Sequence, residues 1–274
     1  MLPSFDDEWV DGQRTKPRIQ VLEIRHRDKL DGEPLAWLLV ERQETYSRDP
    51  RDDSIYKASI RLSYERILPK HSHRGSGKGH FDGSYSKSFN SVSLTSSSAG
   101  RGAVFLDLPG LEGQRIGTYL FDEIVRWVQR WPDATVHSIE LVSGQSHGEN
   151  KARRNWFYEQ FGIVFDYADP EHREGLSRPM QVNALTPVET WKTNIRERQV
   201  LDYVADVLYA EERASSELAQ RERGIKYLVD ERKRAEAKPV RWAFQRLWWR
   251  YMDRIMGSAV VFGLAALVWF RLRT

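Results

Sequence analysis

Residues 103–131 read AVFLDLPGLEGQRIGTYLFDEIVRWVQRW, and the order of elements in this stretch decides the fold class. Ala103 to Leu108 is a short apolar run stopped by Pro109-Gly110, which predicts a strand. A glycine-containing turn follows from Leu111 to Gly117. Thr118 to Trp131 then has helical spacing, with Leu120, Ile124, Val125 and Val128 on one face and Asp122, Glu123, Arg126 and Arg130 on the other. Pro132 ends the helix. Working outward, Val136 to Val142 predicts another strand, Ser143 to Gly148 a polar turn, and Asn150 to Phe161 a second helix with Gly162 as its C-cap. Strand, turn, helix, strand, turn, helix predicts an α/β core.

A glycine turn that opens a helix is a device for anions. The first turn leaves backbone N–H groups without helical partners, and the helix dipole adds partial positive charge. Residues 113–118 are therefore a candidate pyrophosphate seat. The segment Leu108-Pro-Gly-Leu-Glu-Gly-Gln-Arg-Ile-Gly-Thr-Tyr-Leu120 resembles motif A of the GNAT acetyltransferase superfamily, whose loop reads Arg/Gln-x-x-Gly-x-Gly/Ala. Downstream, Asn150-Lys-Ala-Arg-Arg-Asn-Trp-Phe-Tyr-Glu-Gln-Phe-Gly162 looks like that family's motif B, with its FYExxG signature.

The resemblance implies a mixed, mostly antiparallel sheet flanked by helices over residues 18–188, and transfer of an acetyl group from acetyl-CoA to a primary amine without a metal. It implies that the backbone of Leu106 to Leu108 pairs with the pantetheine arm. The amides of Gly113, Gln114, Arg115, Ile116, Gly117 and Thr118 would hold the pyrophosphate. Tyr158 would be the general acid, with Asn150 and Asn155 contacting the cofactor arm. Asp107, Glu140 or a water chain would serve as base. Counting back from Gly117, Glu112 stands where the family has Arg/Gln, and Arg115 where it has its first Gly. That departure supports an alternative expectation, a catalytically degenerate scaffold acting in interaction or oligomerisation.

Upstream, residues 1–17 predict a polar tail; their acidic start has no apolar stretch of signal-peptide length. Ile19, Val21 and Ile24, then Leu35 to Val40, then Ile55 to Ile67 with Ile60, Leu62 and Tyr64 on one face, predict an antiparallel meander. Residues 69–102 are rich in Ser and Gly and predict a mobile loop, with one strand around Phe89 to Leu94. His71, His73 and His80 have no carboxylate or thiolate at fixed spacing nearby, so they predict solvated loop residues rather than metal ligands.

Downstream, residues 189–237 hold almost no Gly or Pro, and Val200, Val204, Val207, Leu208, Leu218, Ile225 and Leu228 recur at three- and four-residue steps. An amphipathic helical stalk is expected there, docking on the core or on a copy of itself. Residues 238–254 interleave Lys238, Arg241, Arg246, Arg250 and Arg254 with aromatics. Ile255 to Phe270 is sixteen residues without a charge, spanning about 24 Å as a helix against a hydrocarbon core of about 30 Å. With Arg254 and Arg271 snorkelling and Trp248, Trp249 and Trp269 at the interface, it predicts a transmembrane helix and a tail-anchored chain facing the cytoplasm. Gly257, Ser258, Ala259 and Gly263 supply small residues where such helices approach one another.

A net charge of +3 over 274 residues carries no strong nucleic-acid signature. The absence of cysteine excludes disulfides, thiol nucleophiles and thiolate metal sites.

Overall fold

The computed structural model describes residues 2, 4–6, 8–10, 13–69, 77–97, 106–145 and 150–273. The side chains of 8–10 and 13–15, and most of those in 253–273, fall outside that set. The chain divides into two compact units, Met1–Ala205 and Asp206–Thr274.

The first unit is mixed α/β. Its strands are β1 (Glu8–Val10), β2 (Gln13–Thr15), β3 (Ile19–Ile24), β4 (Ala36–Arg48), β5 (Ile55–Leu68), β6 (Lys78–Ser86) and β7 (Ser91–Ser93). Then come helix α1 (Ile116–Val128), β8 (Thr135–Val136), β9 (Glu140–Leu141), helix α2 (Asn150–Glu159), β10 (Phe165–Tyr167), β11 (Gly175–Ser177), β12 (Met180–Gln181) and β13 (Ile195–Gln199). The main sheet runs in the order β12-β8-β7-β6-β5-β4-β3-β13. Every pairing in it is antiparallel except β7 with β8. A three-stranded sheet, β10-β11-β9, and the β1–β2 hairpin stand separately.

The meander β3-β4-β5 follows the alternation in sequence, and Ile60, Leu62 and Tyr64 are buried as their spacing predicts. Four expectations are corrected. Residues 1–17 contain a hairpin rather than only a tail. The stretch read as a mobile loop with one strand around Phe89 to Leu94 holds that strand as β7 and also holds β6, whose pairing with β5 runs from Lys57↔Ser86 to Glu65↔Lys78; Gly and Ser are admitted there because a central strand gets its register from its neighbours. Leu106 to Leu108 form no strand, and the rest of the expected Ala103–Leu108 strand lies outside the described residues. The strand leading toward α1 is β7. Finally, β13, read as the start of the stalk, lies antiparallel on β3 from Ile195↔Ile24 to Gln199↔Gln20.

Helix α1 packs on the sheet at Gly83. A β-carbon there would stand 2.8 Å from Ile124 Cγ2 and 3.0 Å from Ile60 Cγ2, so the residue must be glycine for helix and sheet to meet. The polar face of α1 is solvated at Arg126 and Arg130 as its pattern predicts, but Asp122 and Glu123 are both buried. The Asp122 carboxylate accepts from Val188 N–H (2.8 Å), the Trp191 indole (2.9 Å) and Arg126 Nε (2.9 Å). Glu123 accepts from Lys16 Nζ and Arg42 Nη1, both at 2.8 Å. Val188 and Trp191 thus satisfy Asp122, and Lys16 and Arg42 satisfy Glu123, carboxylates that burial would otherwise penalise.

Helix α3 (Val200–Ala237) begins in the first unit, where Tyr203 packs on Trp37 at 4.8 Å. In the second unit, α4 (Pro239–Arg273) follows it directly. Pro239 has no N–H to give, and the helix breaks at a bend at Lys238: Lys238 N–H bonds to Arg234 C=O and closes α3, while Trp242 N–H bonds to Lys238 C=O and opens α4. Arg246 pairs with Glu231 at 2.9 Å. Among the described residues no helix is long and apolar enough to cross a membrane. The run from Ile255 to Phe270 lies in α4, with most of its side chains outside the described residues.

Candidate anion-binding site

The parallel pair β7–β8, joined through α1, is the topological feature around which a site forms. In α/β sheets ligands bind beyond the carboxyl ends of parallel strands, where the crossover helix begins. Here the parallel register covers Ser91↔Thr135 and Val92↔Val136, extended by His137 N–H donating to Val92 C=O at 2.8 Å. The chain then leaves for β9, which belongs to the other sheet.

Into this end come the turns before α1. Leu111 N–H bonds to Leu108 C=O at 3.0 Å, and Gln114 N–H to Leu111 C=O at 3.3 Å. Gly110, Gly113 and Arg115 all have positive φ, at 81°, 76° and 63°. Arg115, the residue before α1, supplies no side-chain cap, and the first turn has no acidic residue. Tyr119 N–H starts the helical ladder at Arg115 C=O. Among the described residues, no acceptor is recorded for the N–H groups of Gly113, Arg115, Ile116, Gly117 or Thr118. Gly113 is exposed and Gly117 half-buried, so this donor set is open on one side.

Several side chains hold the loop. Arg27 N–H donates to Gln114 Oε1 at 3.0 Å. Asn194 Nδ2 donates to Gln114 C=O (3.0 Å) and to Arg25 C=O (3.1 Å). The Arg115 guanidinium is spent on Thr193 Oγ1 (2.5 Å) and Asn194 Oδ1 (3.2 Å). Beneath the loop, buried Arg66 donates through Nη2 to Pro109 C=O at 2.8 Å, while its Nε has no partner. Burial pulls the Arg66 guanidinium below its ordinary value, and nearby Glu112 and Asp107 partly offset this. The Arg66 charge lies beneath the loop with its unpartnered Nε shut off from solvent, while Glu112, exposed on the same loop, brings negative charge.

Helix α2 adjoins this turn. A β-carbon at Gly117 would stand 3.7 Å from the Phe157 ring. Phe121 meets Phe157, Tyr158 and Phe161 edge-on at 5.1, 5.8 and 4.8 Å. Gly162 has the positive φ, 80°, expected of its C-cap role. Tyr158 is buried, and burial pushes its hydroxyl up to about 12, with Arg154 pulling the other way. The side chain of Asn155 is engaged elsewhere, donating to His172 C=O at 3.0 Å and accepting from Arg154 Nε at 3.1 Å. Asn150 is exposed at the start of α2. Asp107 lies on the loop, its N–H donating to the Tyr64 hydroxyl at 3.1 Å. Glu140 is exposed on β9.

The fold thus joins the Gly113–Thr118 turn, Asp107 and the aromatic face of α2, and turns Asn155 away. A separate cleft of about 410 Å3 on the other face of α2, lined by Trp156, Tyr167 and His172 among others, contains none of the turn's donors. Sequence reasoning missed Arg66, Arg27 and Asn194. A basic residue at the end of a strand was the only hint available, and nothing marks Asn194. Among the described residues no group of three or more His, Asp or Glu is placed to hold a metal. His71 and His73 lie outside them, and His80 stands on β6, 3.6 Å from Asp82. Comparisons with protein-family models, curated proteins and solved structures found no match to this chain.

Proposed function

We propose that the chain is an acyl-CoA-dependent N-acyltransferase of the GNAT kind, moving an acetyl group from acetyl-CoA to a primary amine of a protein or small molecule. The observation that carries this reading is the uncapped α1 N-terminus, with its open N–H groups, at the carboxyl end of the parallel pair β7–β8. The amides of Gly113 to Thr118 bind the pyrophosphate, and buried Arg66 adds positive charge beneath them. The amine, freed of its proton by Asp107, Glu140 or water, attacks the thioester carbonyl. The nitrogen of the tetrahedral adduct gives its extra proton to solvent, the C–S bond breaks, the thiolate takes a proton from Tyr158, and Tyr158 is reprotonated from solvent. Burial pushes this hydroxyl up to about 12, so it stays protonated in the neutral range but is a weaker acid than an ordinary tyrosine.

The C-terminal segment completes the proposal as a membrane anchor that leaves the catalytic unit in the cytoplasm. Its support is the uncharged run Ile255–Phe270 between Arg254 and Arg271, preceded by exposed Phe244, Trp248 and Trp249.

Glu112 and Arg115 favour a second reading, a scaffold without turnover: one brings negative charge to the loop, and the other's guanidinium is already engaged. Calorimetry with acetyl-CoA on the full chain separates the two. Micromolar binding, kept in Tyr158→Phe while turnover is lost, is the expected result. Absence of binding by folded protein would sink the enzyme reading.

A further inference from the structure

Helix α3 is 38 residues long and none of them is buried. Val204, Val207, Leu218, Ile225 and Leu228 expose between 44% and 62% of their surface. They lie at three- and four-residue steps, and Glu211, Ala214 and Arg221 complete the same series between them. This is a coiled-coil seam. Leaving it in water wastes five large apolar side chains, and an isolated helix gains little stability from propensity alone.

The two charged positions decide the partner and its direction. Set parallel and in register, two copies would place Glu211 against Glu211 and Arg221 against Arg221 inside the seam. Set antiparallel about Ser216, they place Glu211 against Arg221 twice. The same register puts Val207 opposite Ile225, Val204 opposite Leu228, and Ala214 opposite Leu218. Every apolar residue then meets an apolar one and every charge its opposite. In the single chain, Arg221 pairs among the described residues with Glu217 at 3.9 Å, in an exposed pair of little consequence.

We propose that α3 is the self-association surface of this protein, pairing with α3 of a second copy as an antiparallel, two-fold coiled coil centred on Ser216. The seam is independent of the acyltransferase site. Antiparallel pairing sets Ala237 of the two copies about 60 Å apart along the helix axis, so the two α4 helices start at opposite ends of the pair.

Sedimentation of the full chain in mild detergent tests this, because both charged positions are exposed and their exchange leaves the first unit intact. Glu211→Arg alone, or Arg221→Glu alone, is expected to weaken dimerisation by more than about tenfold, and the double exchange to restore it. A monomer at tens of micromolar overturns the proposal, as does a dimer indifferent to both exchanges, which would point to α4 instead. Direction is read by cross-linking, since the chain has no cysteine of its own. Ala214→Cys mixed with Leu218→Cys should oxidise to a disulfide-linked dimer, while each alone gives little. Efficient linking by Ala214→Cys alone would mean parallel pairing and overturn it.

Discussion

Asn194 and Arg25 are 169 residues apart in the chain, yet one side-chain amide joins them. The same group binds the Gln114 carbonyl and, through its oxygen, the Arg115 guanidinium. It is almost fully buried, so removing it leaves carbonyls without donors rather than returning them to water. Asn194→Ala is expected to cost about 2–3 kcal/mol and to lower the melting temperature by roughly 5–10 °C, measured calorimetrically. A shift under about 1 °C would mean that water replaces these bonds. Residues of this kind are invisible in sequence because a polar residue in a short turn looks the same whether it faces solvent or a loop from another part of the chain. Tyr158 was legible as a position but not as an environment. Its place in an FYExxG pattern is local information, whereas the burial that raises its pKa comes from Phe121 and Phe165 packing around it.

At the scale of elements, periodicity located both helices of the core to within a few residues, since an amphipathic stripe is written locally. It misjudged what lies on their polar sides. Asp122 and Glu123 look like a solvated face until Val188 and Trp191 reach Asp122 from one side and Lys16 and Arg42 reach Glu123 from the other. The contact between α1 and the sheet offers a test. Gly83→Ala inserts a methyl group into a space already occupied by Ile124 and Ile60, and overpacking of this kind costs about 1–3 kcal/mol. Denaturant titration should show a lower midpoint with an unchanged slope. An unchanged midpoint would mean that α1 shifts freely on the sheet.

For the molecule as a whole, the uncharged run Ile255–Phe270 makes location testable. The anchor proposal predicts that the full chain sediments with membranes and resists alkaline carbonate, while a chain ending at Arg254 is released. Full release of the intact chain by carbonate would refute insertion and leave at most a surface-bound helix. What the sequence determined by itself is whatever depends on neighbours along the chain. The β3-β4-β5 meander, both core helices, the turn that opens α1 and the long charged α3 are all set by local spacing, turn residues and propensity. Only the tertiary structure decided that Leu106–Leu108 form no strand and β7 pairs parallel with β8 across α1, that β6 runs through a Ser/Gly-rich stretch, and that Arg66 and Asn194 support the same loop. Those outcomes depend on which strand edges and buried polar groups find partners far away in sequence, and satisfying them is a property of the assembled sheet.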